Sequence, residues 1–401
     1  MEYLIEKERT LPVSDRCDVL VAGGGIAGIA AAVAASRGGA KVILLEREYM
    51  LGGLATLGLI AIYLPLCDGM GRQVAFGIAD ELMRLAVKNG VERDFDHSAM
   101  SAWLGDGIDT AGREKYRFEA QYNPHLFAAE AEQLLSSLGV KILYGTYAVA
   151  AEVNDGKITH VIIENKSGRS AVAVKSVVDT TGDADICSYS GAGTELSEGK
   201  NRLADWYYYT KGGAVNLRMR GAVDDTSNPD REEHISNLRF SGVDAAETSK
   251  MMMLARADML RDVVQNRATD PSFTPVCLPT IPQLRTTRHI VGEYAQGIEE
   301  MHKHFDSSIG MIGDWRKRGP VYELPFETLY SKKVKNLITA GRCISVTGEM
   351  AEVTRVIPTC AVTGQAAGTA AAMTDDFSSL DVAALQAKLT ADGVVLHESN
   401  L

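Results

Sequence analysis

The chain has 401 residues, 46% of them apolar and 23% charged, and its 41 basic against 52 acidic side chains leave a net charge of −11. That length supports about two to three domains and a large core. The acidic balance argues against nucleic acid or an anionic membrane as the main partner, since both demand a basic face, while leaving room for a local basic pocket. The six cysteines at 17, 67, 187, 277, 343 and 360 form no CxxC pair and read as reduced thiols of a cytoplasmic protein.

The first residues are charged and lack an apolar core of signal-peptide length. The apolar run at 19–35 is interrupted by glycines, so it reads as strand, turn and helix, and no membrane span is expected. Within 18–47 a short strand meets Gly23, Gly25 and Gly28 in GxGxxG spacing, an alanine-rich helix follows, and a second strand ends at Glu46. Gly23 allows the tight turn, Gly25 clears space for a pyrophosphate, and Gly28 lets helix and strand pack closely. The helix N-terminus would face the phosphates, and Glu46 is placed to accept from ribose hydroxyls. This is a dinucleotide-binding unit.

Gly52 and Gly53 follow in a loop that can lie under a long cofactor or serve as a connector. Residues 74–88 and 126–138 have helical apolar rhythm, the second after Asn123-Pro124. Residues 140–153 and 159–164 read as strands joined by the turn Asn154-Asp155-Gly156. The strand at 171–178 runs into Gly182 and Asp183, where a ligand can be met at a sheet's carboxyl edge or a helix capped.

From about 191 to 320 the βα alternation stops, with a polar turn region at 224–229 and a helix over 247–264. Here Arg285, Arg288 and His289 fall close together, a grouping that suits a carboxylate and equally a solvated face. His302 and His304 are two apart, off one helix face, and read as a surface pair; no metal site is expected. The βα pattern returns with a strand at 336–340 ending in Gly341-Arg342, and a small-residue helix is expected to begin at Gly364. A short helix closes the chain at 381–389.

These motifs, with VVDTTGDADI at 177–186 and QLRTTRHIVGEY at 283–294, resemble the bacterial FAD-dependent oxidoreductases. Those have the glutathione-reductase-like two-domain fold and are cousins of fumarate reductase flavoproteins and thiazole-biosynthesis enzymes. The resemblance implies an α/β Rossmann-like FAD-binding domain in two parts, 1–190 and 321–401, around an inserted α+β substrate domain at 191–320. It implies non-covalent FAD with its pyrophosphate at Gly23, Gly25, Ile26, Ala27 and Gly28 and its adenosine ribose at Glu46. Arg47 and the run Gly52, Gly53, Leu54, Ala55 and Thr56 would lie along the adenine and phosphate side, and Ala148 would meet adenine. Thr181, Gly182 and Asp183 would lie near ribose and phosphates, and Gly341 and Arg342 near the ribityl chain. Gly364, Gln365, Ala366 and Ala367 would set a helix N-terminus beside the flavin.

The expected chemistry is hydride transfer between flavin N5 and a small polar, carboxylate-bearing metabolite. Arg285, Arg288 and Arg355 would clamp the anion, and His289 would move a proton. No second GxGxxG in strand context follows, so electrons come from or go to substrate or an external carrier. The alternative is a flavin-carrying electron-transfer component acting with a partner protein.

Overall fold

The structure, a computed structural model, describes residues 3–4, 7–89, 120–198, 200–221 and 236–401, so the polar turn region at 224–229 lies outside the described residues. β1 (Val13–Ala22) leaves its sheet at Gly23, α1 (Ile26–Arg37) crosses one face, and β2 (Val42–Leu45) returns parallel to β1 with Val19 opposite Val42. α1 is apolar all round and buries every residue from Ile26 to Ala35. Such a helix must be covered on more than one side.

β3 (Ile62–Tyr63) precedes α2 (Ile78–Lys88) and pairs with β4 (Ala120–Gln121). α3 (Pro124–Ser137) starts at Asn123, whose side chain accepts from the amides of His125 and Leu126, as Asn-Pro predicts. The single strand expected over 140–153 is two strands, β5 (Lys141–Leu143) and β6 (Tyr147–Asn154). Gly145, at φ 55°, turns the chain between them. β6 meets β7 (Lys157–Asn165) through Asp155 and Gly156, at φ 49° and 76°, the hairpin geometry their sequence asks for. β7 pairs antiparallel with β8 (Gly168–Asp179).

After α4 (Asp185–Ser190) and β9 (Thr194–Leu196), β10 (Tyr207–Lys211) and β11 (Ala214–Arg218) form a hairpin. α5 (Ala245–Thr269) is capped by Asp244, and β12 (Thr274–Cys277) joins the other side of β10. Two small apolar clusters form here, one of Tyr207, Met259, Val263 and Phe273, the other including Leu203, Phe240, Met251 and Leu284. β13 (Arg288–Ile290) pairs back with β9. β14 (Ser308–Gly313) and β15 (Val321–Pro325) form an antiparallel pair that straddles the expected boundary at 320. Ile309, Ile312, Tyr322 and Leu324 on this pair belong to the main core.

β16 (Leu337–Thr339), α6 (Met350–Thr354), α7 (Ile357–Met373) and α8 (Val382–Ala391) complete the chain. The principal sheet runs β5-β2-β1-β8 in parallel, with β16 parallel to the last residues of β8 and the β7–β6 hairpin antiparallel to its first half. α7 covers α1. It begins at Ile357 with Pro358 in its first turn, seven residues before the expected start at Gly364. Gly364 is instead a contact point: a Cβ there would lie 2.4 Å from the Ala27 carbonyl oxygen, and one on Gly368 2.1 Å from that of Ala31. Two glycines four apart let the helices touch backbone to backbone.

Candidate active site

A cavity of about 540 Å³ runs along the carboxyl ends of β1, β2, β8 and β16, reaching Gly23, Glu46, Thr181 and Gly341. That is the crevice where open parallel sheets take ligands. Its far wall comes from later parts of the chain, with Trp206, Arg220, Ile281, Arg285, Trp315 and Arg355.

At the β1 end, Gly23 takes φ 107°, backed by Thr180, whose hydroxyl lies 2.7 Å from the Gly23 carbonyl oxygen. Gly25 faces open space, with no atom within 4 Å of where a Cβ would stand. Gly28 is the reverse: a Cβ would sit 1.8 Å from the Gly23 oxygen. α1 starts at Gly25 without a side-chain cap, so its first amides are available to a phosphate. Glu46 is buried, and its oxygens accept the amides of Gly24 and Glu48, each at 2.8 Å. It therefore shapes the loop as well as lining the cavity, and burial raises its carboxyl above the usual range.

Of the other expected cofactor positions, Ile26, Ala27, Arg47, Gly52, Gly53, Leu54, Ala55, Ala148, Thr181, Gly182, Gly341 and Arg342 line the cavity. Gly28, Thr56, Asp183, Gly364, Gln365, Ala366 and Ala367 do not. Thr56 is buried with its hydroxyl on the Leu51 carbonyl, bracing the glycine loop. Asp183 accepts from Thr287 at 2.8 Å and lies 3.4 Å from Arg342 and 3.7 Å from Arg47, so it anchors two lining arginines. Nor does it cap α4, whose amides are served by Thr181 and Asp179. Gln365 accepts the Ile78 amide at 2.7 Å and so holds the start of α2. The helix end that reaches the cavity is Val356–Ile357, again without a side-chain cap.

The expected anion clamp divides. Arg285 and Arg355 line the cavity; Arg288 and His289 do not. Arg288 lies on β13, where its guanidinium is taken up by Asp185 at 2.6 Å and the Asp183 carbonyl at 2.9 Å. His289, next on that strand, turns to the opposite side and places Nδ1 3.1 Å from the Ile290 carbonyl. Strand alternation separates what sequence adjacency joined.

Arg285 is buried, with its guanidinium 5.1 Å from the centre of the Trp206 ring. Its Nε has no hydrogen-bond partner among the described residues. Burial, with like charge from Arg355, pushes this guanidinium down to about 9. Arg355 is held by Glu352 and lies 5.9 Å from the Trp315 ring centre. Arg218 and Arg220, lining residues that sequence reasoning missed, are committed to aspartates: Arg218 forks onto Asp262 at 2.9 and 2.8 Å, and Arg220 donates to Asp258 at 2.7 Å. Their signal was the alternation in Arg218-Met-Arg220 beside acids spaced four apart on α5.

Asp205, on the same network, is wholly buried with Arg220 Nε 3.5 Å away. Burial outweighs the attraction of Arg220 and pushes its carboxyl up to about 8. An acid whose folded value lies above its unfolded ~3.9 holds its proton more tightly in the folded state, so stability falls as pH rises from about 4 toward about 8. The Asp205→Asn variant stays neutral throughout, and its melting temperature should fall less than the wild type's between pH 5 and 8. Parallel profiles would show that Asp205 does not titrate there.

A long, narrow crevice with two uncapped helix ends, a glycine cradle open at Gly25 and a buried acid at the second strand suits a dinucleotide carrying a flat ring. The chain matches the family described as FAD dependent oxidoreductase over residues 18–275 and 204–389, and it belongs to that family, with FAD as its cofactor. It is 30% identical over 156 residues to the probable electron transfer flavoprotein-quinone oxidoreductase YgcN of Escherichia coli (strain K12), across 37% of this chain and 33% of that protein. It is also 30% identical over 175 residues to the vinyl phenol reductase of Lactiplantibacillus plantarum (strain ATCC BAA-793 / NCIMB 8826 / WCFS1), across 39% of this chain and 35% of that protein. The chain thus spans about a third of the length of these curated relatives. Among solved structures it is similar to a geranylgeranyl bacteriochlorophyll reductase-like protein from Thermoplasma acidophilum, at 14% identity and a TM-score of 0.43 over 94% of this chain and 83% of that one. Among the described residues no helix is long and apolar enough to cross a membrane.

Proposed function

We propose that this oxidoreductase moves a hydride between a small carboxylate-bearing metabolite and N5 of a non-covalently held FAD, with Arg285 the principal anion ligand and Arg355 beside it. The observation that carries this reading is the Arg285 guanidinium, buried against Trp206 with Nε unpartnered among the described residues while the neighbouring arginines have aspartate or glutamate partners. A buried cation with an open donor, offset only by the charge of Glu352 beyond salt-bridge distance, is stabilised by an entering anion. The indoles of Trp206 and Trp315 restrain the two guanidinium planes, and Ile281 and Leu284 exclude water beside them.

FAD supplies the redox centre; the chain's part is to bind, orient and desolvate. The cofactor's phosphates fit the α1 end at Gly25, and its ring fits the α7 end at Ile357. Non-covalent attachment is supported by a lining that holds no histidine among the described residues and by Cys360, whose thiol burial pushes up to about 12. We assign the substrate side to the small cores around α5. The free cysteines support a reducing compartment such as the cytoplasm, with an external carrier completing the electron balance. An open donor on a buried cation inside the cavity offers an anionic substrate a partner there, so Arg285 favours the enzyme.

Anaerobic stopped-flow mixing with a panel of small carboxylic acids and their methyl esters tests the reading. An acid should change the flavin absorbance and its ester should not, and acid precipitation should release all the flavin into the supernatant. Equal rates with acid and ester would overturn the carboxylate assignment.

A further inference from the structure

Outside the cavity, two histidines from distant parts of the chain converge on one carboxylate oxygen. His304 precedes β14, Glu323 lies within β15, and His397 follows α8. His397 Nδ1 is 2.9 Å and His304 Nδ1 3.5 Å from Glu323 Oε2, and one ligand atom from each of the three falls within 4.8 Å of the others. We propose that His304, Glu323 and His397 form a binding site for a divalent transition metal, zinc in the first instance, which clips the last residues of the chain to the β14–β15 pair.

The donor set argues for the metal class. Two imidazole nitrogens and one carboxylate oxygen suit Zn²⁺ and its neighbours, whereas Ca²⁺ and Mg²⁺ take oxygen ligands. Ligand atoms around a tetrahedral zinc stand about 3.3 Å apart, from bond lengths of ~2.0 Å, close to the two Nδ1–Oε2 separations here.

The support around the ligands is built as well. Glu323 is buried, and backbone amides fix its carboxylate: Phe305 donates to Oε2 at 2.9 Å and Glu398 to Oε1 at 3.0 Å. Asp306 Oδ1 lies 3.3 Å from His304 Nε2, while Nδ1 is the nitrogen that faces Glu323. A carboxylate on the far nitrogen of a ligating histidine is a recurrent arrangement in metal centres. The imidazole rings lie 4.6 Å apart, and His304 is more than half exposed, leaving the remaining coordination position to water.

The neighbouring pair does different work. His302 and Arg72 both bind Glu398, at 2.8 Å each, and so hold the tail without joining the three ligands. None of the three lines the cavity, so this metal would stabilise the chain without taking part in the flavin chemistry.

The test uses the untagged, full-length holoprotein after chelator treatment. Titration with Zn²⁺ in a calorimeter should give one saturable equivalent, and Zn²⁺ should raise the melting temperature. Co²⁺ should bring up visible ligand-field bands. His304→Ala and His397→Ala should each weaken Zn²⁺ binding about a hundredfold or more, since loss of a supporting group alone costs 10–100-fold. His302→Ala should stay within about twofold, and the flavin spectrum should be unchanged in all three. His304 is at the surface, so its replacement leaves a folded protein to measure. Absence of saturable binding, or binding that survives both ligand substitutions, overturns the site.

Discussion

Arg285→Ala is expected to leave the protein yellow and to slow substrate-dependent flavin reduction by about 10²- to 10³-fold, the ~3–4 kcal/mol typical of removing one partner from a buried charge interaction. The flavin stays because Arg285 sits on the insert side of the cavity, away from the glycine turn at Gly23–Gly28. The rate falls because the carboxylate would lose the clamp arginine that, among the described residues, has no salt bridge of its own. Arg285→Lys keeps the charge but not the planar fork over Trp206, so it should recover only part of the rate. His289→Ala, outside the cavity, serves as the control and should react like wild type. Stopped-flow traces of the three variants decide the matter: wild-type kinetics in Arg285→Ala would remove the clamp from the mechanism.

The second large effect separates two glycines that a motif treats alike. Gly25 has empty cavity where its side chain would be, whereas a Cβ on Gly28 would meet the Gly23 oxygen at 1.8 Å. Gly25→Val should therefore fold, at φ −67° without backbone strain, and lose FAD by filling the phosphate space. A fall in FAD affinity of about a hundredfold is expected, with apo-protein stability within ~1 kcal/mol of wild type. Gly28→Ala should destabilise the fold itself by several kcal/mol, because the clash is with backbone that cannot rotate away. Chemical denaturation of both apo-proteins with FAD titration measures this. If Gly25→Val binds FAD normally, the cradle lies elsewhere.

Much of this was legible in the residues. The strand, glycine turn, helix and second strand within 18–47 follow from local rules, as do the Asn123 cap and the Asp155–Gly156 hairpin, although β1 starts five residues earlier, at Val13. What failed was the placement of side chains relative to one another. Arg288 and His289 read as neighbours of Arg285, but they occupy a short strand that turns them to other faces. Gly364 read as a helix start because glycine so often marks an end, when its use is contact with Ala27. Trp315 carried no pattern that points to the cavity, since only the tertiary fold brings it there. The histidine at 304 made sense only beside residues 19 and 93 positions away, a separation no local window spans.

The backbone contact of α1 with α7 also sets a timetable for synthesis. α1 leaves the ribosome long before Gly364 and Gly368, which cover it. The cofactor turn waits as well for Thr180 to brace Gly23. Until α7 emerges, ten consecutive residues destined for burial lack it as a cover, a condition that invites chaperone capture or aggregation. Flavin loading is therefore expected to wait for that contact, and a nascent chain stalled before residue 368 should be colourless whatever the cell's supply of FAD.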